Sequence, residues 1–329
     1  MYPNPRQISM YLMVGRCAMT NILIKCRNIH IGDVIFCSSV AKKLKQINPE
    51  CVVHYDVNYL QPMELLINNP YIDAVYYKEN AGIDYDTVYQ IMNDDVSTLN
   101  PYESAVSQFQ RMCGIENCDD TFEVFTNPQL DYSIHRSINQ LTEIGDWDAD
   151  LIKIGYQVDW DRKSFLFTEE EYYRAEGGED GTGYGSGNRK VFDIINCMEI
   201  SSKVVLFALG QDEKVSQNYP SLNSTSKFSF TASLMKNCDY VIGNEGCLTN
   251  IASALGTKTI ITTDYIYQMF GPKGIRWQQM GGDLNKLETR KAFLGPNSYF
   301  PDHGHIELSP FLTDTQVGEE ILRRVLNGN

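Results

Sequence analysis

Three short stretches of this chain combine residue types that can do chemistry. The first runs from Gly243 through Asn244, Glu245, Gly246, Cys247, Leu248, Thr249 and Asn250 to Gly256. An apolar run, Tyr240 to Gly243, precedes it, and Leu248, Ile251, Ala252 and Leu255 recur at helical spacing. A strand therefore ends at Gly243 and a helix starts near Cys247 with that stripe in the core. Open α/β sheets hold ligands at the carboxyl ends of their strands, and helix amino ends attract phosphate. Glu245, Gly246, Thr249 and Asn250 stand at that junction, and a glycine at 246 lets a ligand approach the backbone closely. A tight strand-to-helix turn with Glu245 as a capping carboxylate accounts for the same spacing.

The second stretch is Asn28 to Ile35, NIHIGDVI. A buried strand ends before it and Gly32-Asp33 opens a helix. Asp33 is then either an N-cap, whose oxygen accepts an orphan backbone N–H, or a general base with His30 beside it to bind or tune. The third is a loop with six glycines between residues 175 and 188, followed by Lys190. Its backbone N–H groups can cradle phosphate with Lys190 as counter-charge. It fits neither a dinucleotide nor a Walker A pattern, and an acidic solvent loop is the plainer reading. Two Asp-Trp-Asp runs, Asp146 to Asp148 and Asp159 to Asp161, have the form of a metal-binding pair, but neither follows a clear strand. No Ser/His/Asp arrangement is legible. Nine cysteines form no CxxC pair, and Cys113 and Cys118 lack two partners at metal spacing. The reading is reduced thiols in a cytoplasmic protein, with no metal.

The elements that must position these residues alternate along the chain. Ile22 to Cys26 reads as a buried strand, Asp33 to Gln46 as a helix ended by Pro49, and Cys51 to Tyr55 as a strand. Leu60 to Ile67 reads as a helix and Ala74 to Tyr77 as a strand. Between residues 84 and 160 the pattern is weaker, with helices over Tyr102 to Cys113 and Ile134 to Ile144 and the two acidic runs bracketing an interdomain stretch. Alternation then resumes: helix Val191 to Met198, strand Val204 to Leu209, helix Phe230 to Asn237, strand Tyr240 to Gly243, helix Cys247 to Leu255 and strand Thr259 to Thr263. A last helix covers Thr315 to Leu326. Strands separated by helices call for parallel sheets.

With 329 residues the chain has room for two such units. Residues 1–18 read as an N-terminal extension, 19–160 as one Rossmann-like domain and 161–329 as a second. Hydrophobic residues make up 43% and charged residues 21%, the balance of a folded protein. No apolar run approaches a membrane span. The net charge of −14 divides as −10 over residues 1–160 and −4 over 161–329. Neither half carries the basic stripe that nucleic acid or an anionic membrane would need, and the less acidic second half is the easier place for an anionic ligand.

Taken together the stretches resemble the family 9, heptosyltransferase-like glycosyltransferases. That family has a first strand followed by I-G-D-V and a helix, then proline and a second strand. Ile22 to Tyr55 has that form, and NNPYIDAVYY, Asn68 to Tyr77, resembles the family's N-P-x-I-D. A second signature, strand, G-x-D-S-G-P-x-H-x-A-A-A-x-G, strand, is matched by Tyr240 to Thr263. GPKGIRW, Gly271 to Trp277, looks like the G-P-T-x-P-x-R-W that follows. The matches cover about a third of the chain, in the expected order.

The resemblance implies a GT-B fold, two Rossmann-like α/β domains whose parallel sheets face across a cleft. The acceptor would bind the first domain, near His30 and Gly32, and a nucleotide-diphosphate sugar the second. Transfer would be inverting and metal-independent, with no cofactor and with Asp33 as the base. Glu245 stands at the motif's aspartate, and Gly246, Cys247, Leu248, Thr249 and Asn250 follow it at the donor site. Lys190 roughly matches a family lysine that contacts phosphate. Two positions depart from the pattern: aspartate becomes Glu245 and histidine becomes Asn250, which donates hydrogen bonds but carries no charge. Donor identity is therefore not inherited, and the acceptor is open among a glycan, a saccharide-lipid and a modified nucleobase. Two other readings stand beside transfer: a non-catalytic GT-B relative that binds a nucleotide or saccharide, and a nucleotide-sugar epimerase or hydrolase on the same fold.

Overall fold

The computed structural model describes residues 20–27, 29, 31–78, 82–92, 104–144, 150–157, 165–166, 187–188, 194, 197, 203–209, 227–243, 247–261, 306–308 and 312–328. The extension over 1–18 lies outside them, and of the helix expected over Val191 to Met198 only Ile194 and Cys197 are described, both helical.

The first half opens with β1 (Asn21–Arg27), α1 (Ile31–Ile47), β2 (Val52–Val57), α2 (Leu60–Leu66) and β3 (Ala74–Tyr77). Each follows its apolar run. Ile22, Leu23, Ile24 and Cys26 of β1 are all buried, as expected of a central strand covered on both faces. Helix α1 is buried all round from Asp33 to Ala41 rather than along one stripe, because it lies between its own sheet and α2, the helix Ala105–Met112 (α3) and the helix that begins at Cys247. It ends just before Asn48 and Pro49, whose ring disfavours helix in the residue ahead of it.

Two elements here depart from the sequence reading. Strand β4 (Thr87–Met92) was not expected. It is an edge strand with Val88, Gln90 and Met92 exposed, so apolar residues on its open face obscure the alternation. Helix α4 (Pro128–Ile144) begins six residues before Ile134. Asn127 Oδ1 accepts from the N–H of Gln129 at 2.9 Å, and Pro128 fills the first helical position, where its missing N–H costs nothing.

The second half contains β5 (Ile152–Gln157), the short antiparallel ladder β6 (Phe165–Leu166) and β7 (Gly187–Asn188), and β8 (Val204–Leu209). Helix α5 (Phe228–Lys236), β9 (Tyr240–Gly243), α6 (Cys247–Ala254), β10 (Lys258–Ile261), β11 (Ile306–Glu307) and α7 (Asp314–Asn327) follow. Strand β5 falls before the boundary expected at residue 160, yet it pairs with β8 and β9 in the second sheet. Lys153 and Gly155 interrupt its apolar run. The glycine leaves room for its neighbours: a β-carbon on Gly155 would stand 2.9 Å from Leu209 Cδ1 and 3.4 Å from Cys238 Sγ.

Both main sheets are parallel throughout, the first in the order β3-β2-β1-β4 and the second in the order β11-β10-β9-β5-β8. In the first, the chain adds β2 and β3 on one side of β1 and then β4 on the other. In the second, β8 lies on one side of β5 and β9 to β11 on the other. The strand order therefore reverses beside β1 and between β5 and β9, the places where such sheets open a crevice at their carboxyl ends. One core runs between the halves, joining Val34, Phe109 and Ile134 to Leu209, Leu234, Met235 and Ile251. A second core lies on the other face of the second sheet, where Val317, Ile321 and Val325 of α7 cover Tyr156, Ile242 and Ile260.

Candidate functional site

Helix α1 leaves the reversal point of the first sheet and α6 leaves that of the second. Their amino ends meet. A β-carbon built on Gly32 would lie 3.8 Å from Cys247 Cβ and 3.9 Å from its Cα. Two of the stretches singled out in the sequence are thus neighbours in space. Each helix end offers backbone N–H groups without intrahelical partners and the positive end of a dipole, so the junction where they meet suits an anionic group.

Asp33 is the third residue of α1, which starts at Ile31, so it stands inside the first turn and not at the N-cap. Its side chain is 8% exposed at this junction, where a carboxylate faces the favourable end of the helix dipole. The helix that carries it is tied to the sheet from below. Tyr55, wholly buried on β2, donates its hydroxyl to the Val34 carbonyl at 2.8 Å and accepts from Cys26 Sγ at 3.2 Å. Burial makes weaker acids of this set: the pKa values of the Tyr55 hydroxyl and the Cys37 thiol are pushed well up. They are structural groups, neutral at physiological pH.

On α6, Cys247 is the first helical residue and half-buried, and both it and Leu248 pack against the shared core. Thr249 and Asn250 turn inward, 0% and 4% exposed. Of the expected donor positions that are described, Cys247 is the one in contact with Gly32, while Leu248 and Thr249 serve packing. His30, Lys190, Glu245 and Gly246 lie outside the described residues.

Sequence reading passed over a polar cluster at the same carboxyl edge of the first sheet. Arg27, the last residue of β1, pairs through Nη2 with the wholly buried Asp56 carboxylate at the end of β2 and donates from Nη1 to Asn58 Oδ1 at 2.8 Å. Burial raises the Asp56 pKa, against the opposing pull of Arg27 and Lys25. Lys78, just after β3, adopts the left-handed conformation with φ 58° and extends its ammonium 4.9 Å from the Tyr77 ring centroid. The signal available was Asp56-Val57-Asn58, polar residues closing an otherwise apolar strand. Among the described residues no three His, Cys, Asp or Glu side chains gather as a metal-binding group, and no helix is long and apolar enough to cross a membrane.

The fold is found in solved structures. The chain superposes on a family 9 glycosyltransferase from Veillonella parvula over 94% of its own length and 97% of the other's, with TM-score 0.57 and 12% identity. It matches the ADP-heptose lipopolysaccharide heptosyltransferase II of Escherichia coli over 94% and 99%, with TM-score 0.56 and 12% identity. The E. coli heptosyltransferase WaaC with ADP gives 0.50 at 10% identity, over 94% and 100%. No protein-family profile matches the sequence. No curated protein matches it either. The fold is thus GT-B, an α/β architecture of two parallel sheets, and it is the fold of the family 9 heptosyltransferases.

Proposed function

We propose that this protein is a glycosyltransferase that moves a sugar from a nucleotide-diphosphate donor to an acceptor hydroxyl. The observation that carries the reading is the meeting of the α1 and α6 amino ends, with Gly32 against Cys247 and the buried Asp33 beside them. It is supported by the fold shared with heptosyltransferases, one of which is known with ADP bound.

In this reading the donor diphosphate lies at the amino end of α6, along the backbone of Glu245 and Gly246, with Lys190 supplying charge. The acceptor lies over the carboxyl edge of the first sheet. Asp33 takes the proton of the acceptor hydroxyl as its oxygen attacks the anomeric carbon. The bond from that carbon to the diphosphate oxygen breaks on the opposite face, inverting the centre and releasing the nucleoside diphosphate. The helix ends stabilise the charge that develops on the leaving group, and preorganised dipoles of this kind can do so without a metal ion.

The test pairs two measurements on Asp33→Asn. The substitution keeps shape and hydrogen bonding but removes the base. Single-turnover rate should fall by about 10² to 10⁴-fold with the dissociation constant for a nucleotide-sugar nearly unchanged. Full turnover in the variant would end the assignment of Asp33 as base.

A further inference from the structure

Helix α5 connects β8 to β9 and so belongs by topology to the second sheet, but its two ends are held by the first half. It starts without a cap of its own: Lys227 occupies the N-cap position and makes no side-chain cap bond. A lysine there also sets positive charge against the positive end of the helix. The missing acceptor comes from the other half. Glu64 of α2 accepts through Oε2 from both the backbone N–H and the hydroxyl of Ser229, each at 3.0 Å. At the far end, Lys236 pairs with Asp131 of α4 at 2.8 Å and donates to Thr126 Oγ1 at 3.2 Å, while Thr126 itself donates to Asp131 at 2.7 Å. Between these two clasps α5 packs on α6, the helix that begins at Cys247.

We propose that Glu64 is a positioning residue for the junction of the two helix ends: by capping α5 across the two halves it holds α6, and with it Cys247, against Gly32. The carboxylate does for α5 what an N-cap side chain does locally, satisfying an orphan N–H and facing the dipole. Because the cap is supplied from α2, losing it loosens the amino end of α5 from the first half, where the packing of α5 on α2 and α4 remains, rather than merely fraying one turn. The Asp131–Lys236 clasp remains, so α5 pivots about its carboxyl end and the contact between Cys247 and Gly32 opens.

The proposal takes from the proposed function only the place of the site, and its test uses no sugar donor, so its failure and that of the transfer reading are distinct. The full chain is alkylated with N-ethylmaleimide and modification is followed peptide by peptide. Glu64→Ala should raise the rate at Cys247 at least fivefold and leave Cys118, half-buried in the first half, unchanged. Glu64→Gln, which keeps an oxygen for the Ser229 N–H, should restore the rate to within twofold of the parent. The proposal is overturned if Cys247 in Glu64→Ala reacts at the parent rate, if Cys118 accelerates equally, or if Glu64→Gln fails to restore protection. Should Glu64→Ala not fold, Ser229→Ala removes one of the two bonds and should speed Cys247 at least twofold with Cys118 steady. An unchanged Cys247 rate in that variant overturns the proposal equally.

Discussion

Gly32 and Cys247 stand at the amino ends of helices from different sheets, and a β-carbon on the first would touch Cys247 Cβ at 3.8 Å. That is an ordinary van der Waals distance, so Gly32→Ala fits, and alanine inside a helix gains about 0.5–1 kcal/mol over glycine. A larger side chain has no such room and must part the two helix ends. Gly32→Ala should therefore leave the denaturation midpoint level or slightly higher. Gly32→Leu should lower it and weaken nucleotide-sugar binding at least tenfold. Calorimetric titration beside urea denaturation of both variants checks this, and unaltered binding by Gly32→Leu would place the ligand elsewhere.

Cys247 supplies its own report on the ligand. As the first residue of α6 and half-exposed, it lies where a diphosphate held by the helix end would cover it. Saturating nucleoside diphosphate should slow its alkylation at least fivefold, with Cys118 as the internal control. A nucleoside lacking phosphate should protect little, since the helix end recognises the anion. Protection by nucleoside and diphosphate alike would show that the base, and not the phosphates, sits over α6.

Much of this was legible in the sequence because parallel strands buried on both faces are plain apolar runs. Val204–Leu209 and Tyr240–Gly243 stand where the pattern puts them, and so does the half-buried edge strand Ala74–Tyr77, whose run is apolar although Tyr77 is exposed. The strands that escaped notice have identifiable physical reasons. In β4, Val88 and Met92 are apolar yet exposed on an edge. In β5, glycine at 155 makes room for Leu209 and lysine at 153 bonds to Asp239 through its backbone N–H at 2.7 Å. At the site, I-G-D-V and the glycine-rich strand-helix junction both announce helix amino ends. Their contact with each other is a tertiary fact that spacing cannot carry. Arg27, Asp56 and Asn58 were missed for the same reason: they are brought together only by pairing β1 with β2.

Two glycines separate the cost of crowding a side chain from that of crowding backbone. A β-carbon on Gly155 would press on the end of the Leu209 side chain at 2.9 Å, whereas one on Gly318 of α7 would stand 2.7 Å from the Ile194 carbonyl oxygen and from Cys197 Cβ. Leu209 can shift its rotamer a little; a carbonyl in a packed segment cannot. Both Gly155→Ala and Gly318→Ala should destabilise, by about 1–3 kcal/mol as overpacking does, and Gly318→Ala should be the more severe. Urea midpoints in the reverse order would mean that α7 can move away from Ile194 as a body.

His54 gives the chain a pH dependence with a defined sign. It is 8% exposed on β2, with Nδ1 at 2.9 Å from the Tyr85 hydroxyl and the Tyr76 and Tyr85 rings edge-on around it. Burial lowers its pKa, against a smaller upward pull from Asp73. The unfolded chain then takes up a proton near pH 6.5 that the folded protein resists, so stability falls as pH drops below that value. Asp131, held low by bonds from Lys236, Ser233 and Thr126 despite burial, adds a loss of the same sign only below about pH 4, where the unfolded carboxyl protonates. Asp56, raised by burial, works the other way, but it is common to parent and variant and cancels between them. The parent should be less stable at pH 5 than at pH 7.5. His54→Gln retains a hydrogen-bonding partner for Tyr85 but cannot titrate, so it should lose most of that difference. Urea midpoints for both proteins at the two pH values decide the matter, and an equal fall in parent and variant would assign the acid sensitivity to groups other than His54.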